Sequence, residues 1–511
     1  MIKENKFLRG SIFLAISAIV AKCVGFLFKI PLTNMVGAEA IGIFNYGHTL
    51  YMTMLAIALT GIPYALSKIV AEKIANHRER EAHRLFKLTF VIMFFGGLML
   101  SLLLLIITDF FVGWFWPEET YIVLVGLVFS PFFVALSAAF KGYFLGLEKS
   151  QTPAIAQLVD GIIRLIVGLG LTYVLLNSLK KEAILGAAIG VTIGSLLSLV
   201  VYLIDYLKIR RKLYREVALR DNYVWEKTNI ELIKELVVIA MPIAIGAFAT
   251  TLMTLIDSLM IPNILIGENL HVNFVNELYG NYTSIWMLVN LPMALLISLS
   301  SNWLPKVSEL KAKEELLKLK KYFDLGVKWT FYIVLPCTCG FFVLANEILK
   351  LVFPVINGAE NLLKILSVML LFGGINQLFV TTLQGLNLAK ITVYNLIIAS
   401  VMKIILNILF VTNLNFSIEG IAISSVVSYG FLAILNGRKA LRFVGANSLI
   451  KETVKPLIAS GVMSIFLIMI KDKVDLVANG KINTICIIFF SAIIYLTIIL
   501  VLEKKSIIRK K

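Results

Sequence analysis

Long apolar runs separated by short polar segments recur along the whole chain. About 20 consecutive apolar residues are enough for one helix to cross a bilayer. Runs bounded by proline, glycine or clustered charges number fourteen. They cover approximately residues 10–33, 41–65, 88–108, 121–140, 154–176, 184–204, 235–261, 277–303, 329–345, 362–384, 393–411, 419–435, 456–470 and 482–502. The pattern predicts an all-α polytopic membrane protein with fourteen transmembrane helices.

Composition agrees with this prediction. The 511 residues are 59% hydrophobic and only 15% charged, which is more apolar surface than a soluble domain can bury. A soluble enzyme is therefore excluded. The first apolar run continues without a small-residue cleavage signature, so it is interpreted as a retained first helix and not as a signal peptide.

The distribution of lysine and arginine predicts the orientation. If the N-terminus is cytoplasmic, the inside segments hold 37 of the 48 basic residues and the outside loops hold 6. Basic loops are retained on the cytoplasmic face, so both termini are expected there. The net charge of +17 is then explained by topology and anionic lipid, and no nucleic-acid partner is expected.

Two segments of the chain resemble each other. GLEKSQTPAIAQLVDGIIRLIVG, which begins at Gly146, matches GLNLAKITVYNLIIASVMKIILN, which begins at Gly385, and the match places Arg164 opposite Lys403. A short motif follows in each half, LGAAIG in the first and EGIAIS in the second. Six helices are thus followed by six similar helices in the same orientation, which predicts two lobes with a cavity between them.

The repeat suggests a division of the chain into four parts. Residues 1–207 form an N-terminal six-helix lobe, 208–234 a basic cytoplasmic linker, 235–440 a C-terminal six-helix lobe, and 441–511 two additional transmembrane helices. The linker is a candidate amphipathic helix at the lipid surface. The additional helices either pack against the second lobe or shape a groove that faces lipid.

Two motifs resemble a known family. GIPYALSKIVAE (61–72) and FKGYFLGLEKSQTPAIAQLVDGIIRLIVG (140–168), within a plan of six, six and two helices, resemble the polysaccharide and lipid-linked-oligosaccharide flippases of the MATE/MOP superfamily. More narrowly, the motifs resemble the branch that includes stage V sporulation protein B and the Gram-positive relatives of the lipid II flippases. The resemblance covers essentially the whole chain. It implies transport across a bacterial plasma membrane in polysaccharide or peptidoglycan synthesis, for cell wall biogenesis or sporulation.

The same resemblance carries over to individual residues. The lipid II flippases have Arg-x-x-Gly-Phe-x-Arg-Asp in the first helix. In this chain Lys22 takes the place of the first arginine. Phe28 replaces the second arginine, and Lys29 replaces the aspartate. The sporulation branch has Glu-x-x-x-Arg in the fifth helix, and Asp160 and Arg164 fill that pattern. The resemblance implies that Lys22 contacts the cargo, but the remainder of the first-helix site does not transfer.

Charged residues inside the spans are candidates on physical grounds as well. A charge at a helix centre that faces lipid costs roughly 2.5–3.5 kcal/mol, so such residues are expected to face a cavity or the bundle interior. Lys22 and Lys29 are two turns apart on one helix face. Asp160 and Arg164 are one turn apart and either satisfy each other or contact cargo. Lys403 lacks a nearby acid and is interpreted as a cavity residue.

Two further residues have two interpretations each. Asp257 is either a coupling-ion site or one half of a salt bridge to the other lobe. His48 either couples transport to protons or packs as a neutral ring. Asp160, Asp257 and His48 are therefore the candidates for coupling or gating. His83 lies among arginines and is interpreted as part of a solvated loop.

No enzyme signature was found. The chain has no phosphate-binding glycine loop, HExxH motif or nucleophile elbow. Cys337 and Cys339 have the wrong spacing for a metal site, and neither a metal nor another cofactor is expected. Without a nucleotide-binding domain, energy must come from an ion gradient, the membrane potential or consumption of cargo on the far side.

The favoured hypothesis is a flippase for an undecaprenyl-pyrophosphate-linked precursor, either lipid II or a polysaccharide repeat unit. Four cations, Lys22, Lys29, Arg164 and Lys403, outnumber the two acids in the interior spans, and this excess suits an anionic headgroup. The alternative is a cation-coupled multidrug or metabolite antiporter centred on Asp257; a non-transporting scaffold is a third hypothesis. Expected partners are the lipid-linked oligosaccharide and the bilayer, with a monovalent cation and envelope-synthesis enzymes as further candidates.

Overall fold

The computed structural model describes residues 2–176, 182–219, 227–413, 416–445, 447–471 and 480–508. Every regular element in these ranges is helical, and no strand occurs in them. The α-helices are α1 (Ile2–Leu59), α2 (Gly61–Ala75), α3 (Glu79–Trp114), α4 (Thr120–Leu127), α5 (Ser130–Gly146), α6 (Gln151–Leu176), α7 (Ile184–Leu219), α8 (Asn229–Gly267), α9 (Val272–Val289), α10 (Leu291–Ala312), α11 (Leu316–Val343), α12 (Ala345–Val352), α13 (Glu360–Gly385), α14 (Ala389–Ile408), α15 (Ser417–Val444), α16 (Asn447–Lys471) and α17 (Gly480–Ile508). A π-helical turn, Leu409–Asn413, extends α14.

Within the described ranges, eleven helices are long and apolar enough to cross a membrane, or up to thirteen if two bent pairs each count as one span. The bent pairs are Asn229–Phe248 with Thr251–Gly267, and Val272–Val289 with Leu291–Ala312, each bent by 43°. The protein is therefore an all-α, multi-pass membrane protein. The count of fourteen spans and the twofold repeat of six helices stay predictions.

One of these stretches is much longer than a single span. Cys23–Ala75 is 53 residues long, and a straight helix of that length would extend about 80 Å, more than twice the thickness of a bilayer core. The helix is broken at Gly37, whose φ of 84° lies in the region that favours glycine. The stretch therefore covers the end of the first predicted span and all of the second.

The chain divides into two compact units, Met1–Leu259 and Met260–Lys511. The boundary lies inside α8, so this helix belongs partly to each unit. The predicted lobe boundaries and the cavity between the lobes stay predictions. The first part of the predicted linker continues α7 as a helix as far as Leu219.

The end of the linker is tied to the first unit. Arg84 Nη1 donates a hydrogen bond to the carbonyl oxygen of Lys227 over 3.2 Å, and Lys227 Nζ donates to Glu235 Oε2 over 2.7 Å. The hydrogen bond to the Glu235 carboxylate raises the pKa of Lys227. These contacts join the beginning of α3 to the beginning of α8.

An aromatic cluster forms much of the core of the first unit. Phe86 stacks on Tyr143 with ring centroids 4.2 Å apart, and Phe140 lies 5.3 Å from Phe86. The prediction that His83 lies in a solvated loop is wrong, because α3 begins at Glu79 and carries this histidine into the cluster. Its ring stacks on Tyr206 at 6.3 Å, and its Nδ1 lies 3.1 Å from Tyr143 Oη.

A network of three asparagines joins helices α13, α14 and α15 in the second unit. Asn395 Nδ2 donates to Asn436 Oδ1, and Asn436 Nδ2 donates to Asn376 Oδ1, each over 2.8 Å. Asn436 is fully buried. Because a buried amide without partners is costly, this network favours one arrangement of the three helices.

The two C-terminal helices, α16 and α17, pack against α11 of the second unit. Glu503 Oε1 accepts a hydrogen bond from Tyr332 Oη over 2.6 Å and forms ion pairs with Lys328 at 2.8 Å and Lys455 at 3.2 Å. Tyr495 Oη donates to the carbonyl oxygen of Tyr332 over 3.1 Å. Of the two arrangements considered for the additional helices, the structure shows the packed one.

Substituting Glu503→Gln should loosen this attachment. The glutamine keeps the shape but leaves two partly buried lysines without their counter-charge, and hydrogen bonds to charged groups contribute about 1.5–3 kcal/mol each. We expect a lower thermal midpoint for the purified protein in detergent. Lys504→Gln is the matched control, because Lys504 is the next residue and is exposed. Equal midpoints for the two variants would contradict the assigned role of Glu503.

Candidate transport site

The predicted pair on the fifth span is formed. Arg164 Nη2 lies 3.0 Å from Asp160 Oδ2 and 3.3 Å from Asp160 Oδ1, one turn apart on α6. The side chains remain 22% and 28% exposed, so neither is sealed off. Helix α7 packs closely behind them: a β-carbon at Gly194 would lie 2.8 Å from Asp160 Oδ1. The pair is thus supported from one side and accessible from another.

Lys29 is brought towards this pair by the packing of α1 on α6. The Phe28 ring lies against α6 at Gly168, where a β-carbon would be 2.8 Å from the ring. Lys29 Nζ donates to Asn45 Oδ1 over 3.1 Å, across the break in α1. Lys29 and Arg164 are within range of each other's charge. Two cations in neighbouring membrane spans favour an anion between or beside them.

His48 and Tyr51 extend the same polar region. The His48 ring stacks on Phe44 at 5.3 Å and lies 6.0 Å from Tyr51, within range of the charges of Lys29 and Arg164. Tyr51 Oη and Ser130 Oγ are 2.6 Å apart. We call Lys29, Asn45, His48, Asp160 and Arg164 the first-unit cluster. Whether His48 couples transport to protons stays a prediction.

Lys22 has a described backbone but no described side chain. Its position lies in α1, two turns before Lys29. Its side chain lies outside the part of the structure that is described, so its predicted contact with cargo stays a prediction.

Lys403 does not face lipid. Its side chain lies on α14 with 0% exposure, and its Nζ is 5.7 Å from the centroid of the Trp286 ring, a distance typical of a cation–π contact. Trp286 is in turn 5.8 Å from Tyr282 and 5.9 Å from Tyr429. In this conformation the ammonium group is enclosed, and a cargo headgroup can reach it only after a rearrangement.

Polar side chains surround the helix that carries Lys403. Ser424 Oγ donates to Asn407 Oδ1, and Asn407 Nδ2 lies 4.0 Å from Met260 Sδ. Tyr282 Oη and Ser425 Oγ are 3.0 Å apart. We call Trp286, Lys403, Asn407 and Ser424 the second-unit cluster.

A similar tyrosine–serine hydrogen bond lies near each of the two clusters. If Pro31 and Pro262 are aligned, Tyr51 falls opposite Tyr282, and both tyrosines form a hydrogen bond to a buried serine. Such a correspondence is what the predicted repeat leads us to expect.

Asp257 is almost fully buried in α8. The next residue, Ser258, has a backbone carbonyl that accepts no hydrogen bond from its own helix. Pro262 has no N–H, so the carbonyl oxygen of Ser258, four residues earlier, has no partner in its own helix. Trp116 Nε1 donates to this oxygen over 2.7 Å, and the Trp116 ring stacks on Phe111 at 5.1 Å. Trp116 therefore fixes the backbone beside Asp257, a role that sequence analysis missed.

Substituting Trp116→Phe should destabilise this part of α8. Phenylalanine keeps most of the stacking but leaves the buried Ser258 carbonyl without a donor, at a cost of about 1–3 kcal/mol. We expect a lower thermal midpoint in detergent. The control is Trp114→Phe, since Trp114 is 75% exposed. If both variants have the thermal midpoint of the wild type, the hydrogen bond from Trp116 to the Ser258 carbonyl does not stabilise α8.

The model of the family described as polysaccharide biosynthesis protein matches residues 7–311, more than half of the chain. The chain belongs to this family. This confirms the resemblance read from the motifs in spans two, four and five.

Named relatives align with this polysaccharide biosynthesis family member over nearly its whole length. Stage V sporulation protein B of Bacillus subtilis is 21% identical, with 99% of this chain and 98% of the relative covered. The lipid II flippase MurJ of the same species is 24% identical, with 90% and 88% covered. Among solved structures, an inward-facing multidrug resistance MATE transporter of the MOP superfamily has a TM-score of 0.67 at 14% identity, covering 86% of this chain and 99% of its own.

These comparisons establish a MATE-like fold and support a flippase or transporter role. Within this fold, the first-unit cluster brings together Lys29, Asp160, Arg164 and His48, four of the residues predicted from the sequence. Lys403 and Asp257 lie outside it. Asn45, Tyr51, Trp116 and Trp286 were missed, and only Tyr51 had a signal in the sequence, its match to Tyr282.

Proposed function

We propose that this polysaccharide biosynthesis family member moves an undecaprenyl-pyrophosphate-linked cell-envelope precursor from the inner to the outer leaflet. The observation that carries the proposal is that α1, which bears Lys29, packs on α6, which bears Arg164, so that two cations lie in neighbouring membrane-spanning helices. Full-length similarity to a lipid II flippase supports the same class of cargo. The precursor is either lipid II or a polysaccharide repeat unit.

The chemistry of the first-unit cluster suits a pyrophosphate. Arg164 presents a planar guanidinium that can form two parallel hydrogen bonds to phosphate oxygens, while Lys29 supplies a compact point charge. Asp160 holds Arg164 in place before cargo arrives. When a phosphate binds, it replaces Asp160 as a partner of Arg164. The same carboxylate then competes for Arg164, which assists release on the other side.

Lys403 supplies a second cation in this proposal. It is enclosed in the present conformation, so it meets the headgroup in another state of the transport cycle. A change in the partners of a cation between two states is how a ligand drives alternating access. The excess of lysine and arginine in the connections on one side supports a cytoplasmic location for both termini.

A second candidate function rests on Asp257. A nearly buried carboxylate in a span is typical of a site that binds a cation, and the MATE fold includes a multidrug transporter. In that case the protein is a cation-coupled antiporter, and neutralising Asp257 abolishes export of organic cations. In the flippase proposal Asp257 is a candidate for coupling to a monovalent cation.

Depletion of the protein tests the proposal in cells. The expected result is the accumulation of one undecaprenyl-linked saccharide on the cytoplasmic leaflet, and the identity of that saccharide names the cargo. Re-expression of the wild type should clear it, and re-expression of an Arg164→Gln variant should not. Unchanged levels of every undecaprenyl-linked intermediate, together with increased sensitivity to organic cations, would favour the antiporter.

A further inference from the structure

Helices α3 and α7 of the first unit both pack against α5, and they meet each other through aromatic rings. The Tyr206 ring of α7 lies 6.3 Å from the ring of His83 and 5.3 Å from that of Phe86, both on α3. Phe140 of α5 contacts the same rings, at 5.3 Å from Phe86 and 5.5 Å from Tyr206. These rings form the floor of a furrow whose walls are α3 and α7. We call it the α3–α7 furrow; it lies where α3 begins and α7 ends.

One cation lies on each wall of the furrow. Lys87 follows His83 by four residues on α3, and Arg210 follows Tyr206 by four residues on α7, so each cation lies on the helix face that turns towards the other wall. Both residues are exposed. The His83 ring lies within range of both charges. Glu79, four residues before His83, is the acid on this face of α3, so the two cations leave an excess of positive charge.

Exposed apolar side chains continue both walls towards the membrane core. They occur four and seven residues after Lys87 on α3, and three and seven residues before Arg210 on α7. These residues are Val91, Phe94, Leu203 and Leu207. Spacings of three, four and seven residues keep side chains on one helix face. Since α3 and α7 are both candidate spans, each wall leads from a cation at the membrane surface to side chains that contact lipid tails.

We infer that the α3–α7 furrow binds an anionic diacyl phospholipid of the bilayer, of the phosphatidylglycerol class. Its phosphate lies between Lys87 and Arg210, and its acyl chains lie along the exposed apolar residues of the two walls. Basic pockets between spans at a membrane surface are typical sites for anionic headgroups. A lysine at the end of a span also extends its ammonium group towards the surface, where a lipid phosphate lies.

A soluble anion fits this furrow less well. Free phosphate or pyrophosphate has no apolar part, so it would leave the apolar walls uncovered, whereas a diacyl lipid matches both the charge and the apolar surface. The bound lipid adds to the ring contacts between α3 and α7. It is separate from the first-unit cluster and does not depend on the proposed cargo.

Photo-crosslinking in vesicles tests this inference. The full-length protein is reconstituted in phosphatidylcholine with a trace of phosphatidylglycerol, or of phosphatidylcholine with the same acyl chains, that carries a diazirine near the glycerol end of one chain. We expect phosphatidylglycerol to label residues 87–94 and 203–210 about fivefold more than phosphatidylcholine, because each cation near the surface strengthens the attraction to an anionic lipid. In the double variant Lys87→Gln with Arg210→Gln this preference should disappear.

Lys208→Gln is the matched control and should keep the preference. Lys208 is also exposed and lies two residues before Arg210, but it forms an ion pair with Asp205 over 3.4 Å. Without lipid, the thermal midpoint of the double variant in detergent should equal that of the wild type, because both substituted residues are exposed. If the double variant nevertheless fails to fold, Lys87→Gln and Lys87→Arg give the same comparison: the glutamine should weaken the preference and the arginine should keep it.

Equal labelling by the two phospholipids would overturn the inference. Displacement of the probe by inorganic pyrophosphate would do so as well, since it would show a site for a soluble anion. Stronger displacement by a polyprenyl pyrophosphate than by phosphatidylglycerol would show a cargo site instead. Because flipping of the cargo is measured separately from this labelling, failure here leaves the proposed flippase function standing.

Discussion

Arg164→Gln is expected to reduce flipping of a pyrophosphate-linked lipid at least tenfold, whereas Arg164→Lys should retain a measurable part of the rate. Hydrogen bonds to a charged group contribute about 1.5–3 kcal/mol, and 1.4 kcal/mol corresponds to a factor of ten. Lysine keeps the charge but not the bidentate geometry. The measurement is the rate of appearance of the saccharide on the far leaflet of proteoliposomes, divided by the amount of folded protein.

Because Arg164 is paired with Asp160, a loss of flipping in Arg164→Gln has two explanations: loss of cargo binding or loss of folded protein. If Arg164 and Asp160 only stabilise each other, Asp160→Asn and Arg164→Gln each lower the amount of folded protein, and the double variant partly restores it. If Arg164 binds cargo, the double variant remains inactive at normal abundance. Restored flipping in the double variant would exclude Arg164 as a cargo ligand. Lys29→Gln and Lys29→Arg form a matched pair for the neighbouring cation.

Lys403→Met is expected to abolish flipping while leaving the protein as stable as the wild type, or more stable. A lysine with no exposed surface has lost its hydration, and replacing a buried charge with an apolar side chain of similar shape is often neutral or stabilising. The thermal midpoint and the flipping rate are measured on the same preparation. Loss of transport without loss of stability separates a cargo role from a packing role.

The control for this substitution is Lys364→Met in the same unit. Lys364 lies near the beginning of α13, where a long side chain reaches the membrane surface, and its substitution should leave flipping unchanged. If Lys403→Met flips cargo at the wild-type rate, Lys403 is a packing residue and the second cation must be removed from the mechanism.

Local patterns in the sequence predicted the contacts that lie within one helix. The spacing of Asp160 and Arg164 predicted their ion pair because four residues make one turn of any helix. The apolar run at 88–108 predicted a span but not the full length of α3, Glu79–Trp114, since polar residues continue the helix beyond the membrane core. Similarly, His83 was misplaced because arginines surround it in sequence while aromatic rings surround it in space.

Contacts between distant helices could not be predicted in this way. Pro262 shows in the sequence that the carbonyl of Ser258 lacks an intrahelical partner, but nothing local indicates that Trp116, 142 residues away, supplies the donor. The contact of Lys403 with Trp286 likewise depends on how α14 packs. Charge in a span marks a candidate residue, and only tertiary packing determines its partners.

The most direct test of the proposal is flipping in proteoliposomes that contain only this protein and an undecaprenyl-pyrophosphate-linked saccharide. We predict that the wild type brings the saccharide to the opposite leaflet, and that Arg164→Gln, at equal abundance and equal thermal midpoint, does so at least ten times more slowly. Transport by Arg164→Gln at the wild-type rate would contradict the claim that cations within the spans bind the pyrophosphate.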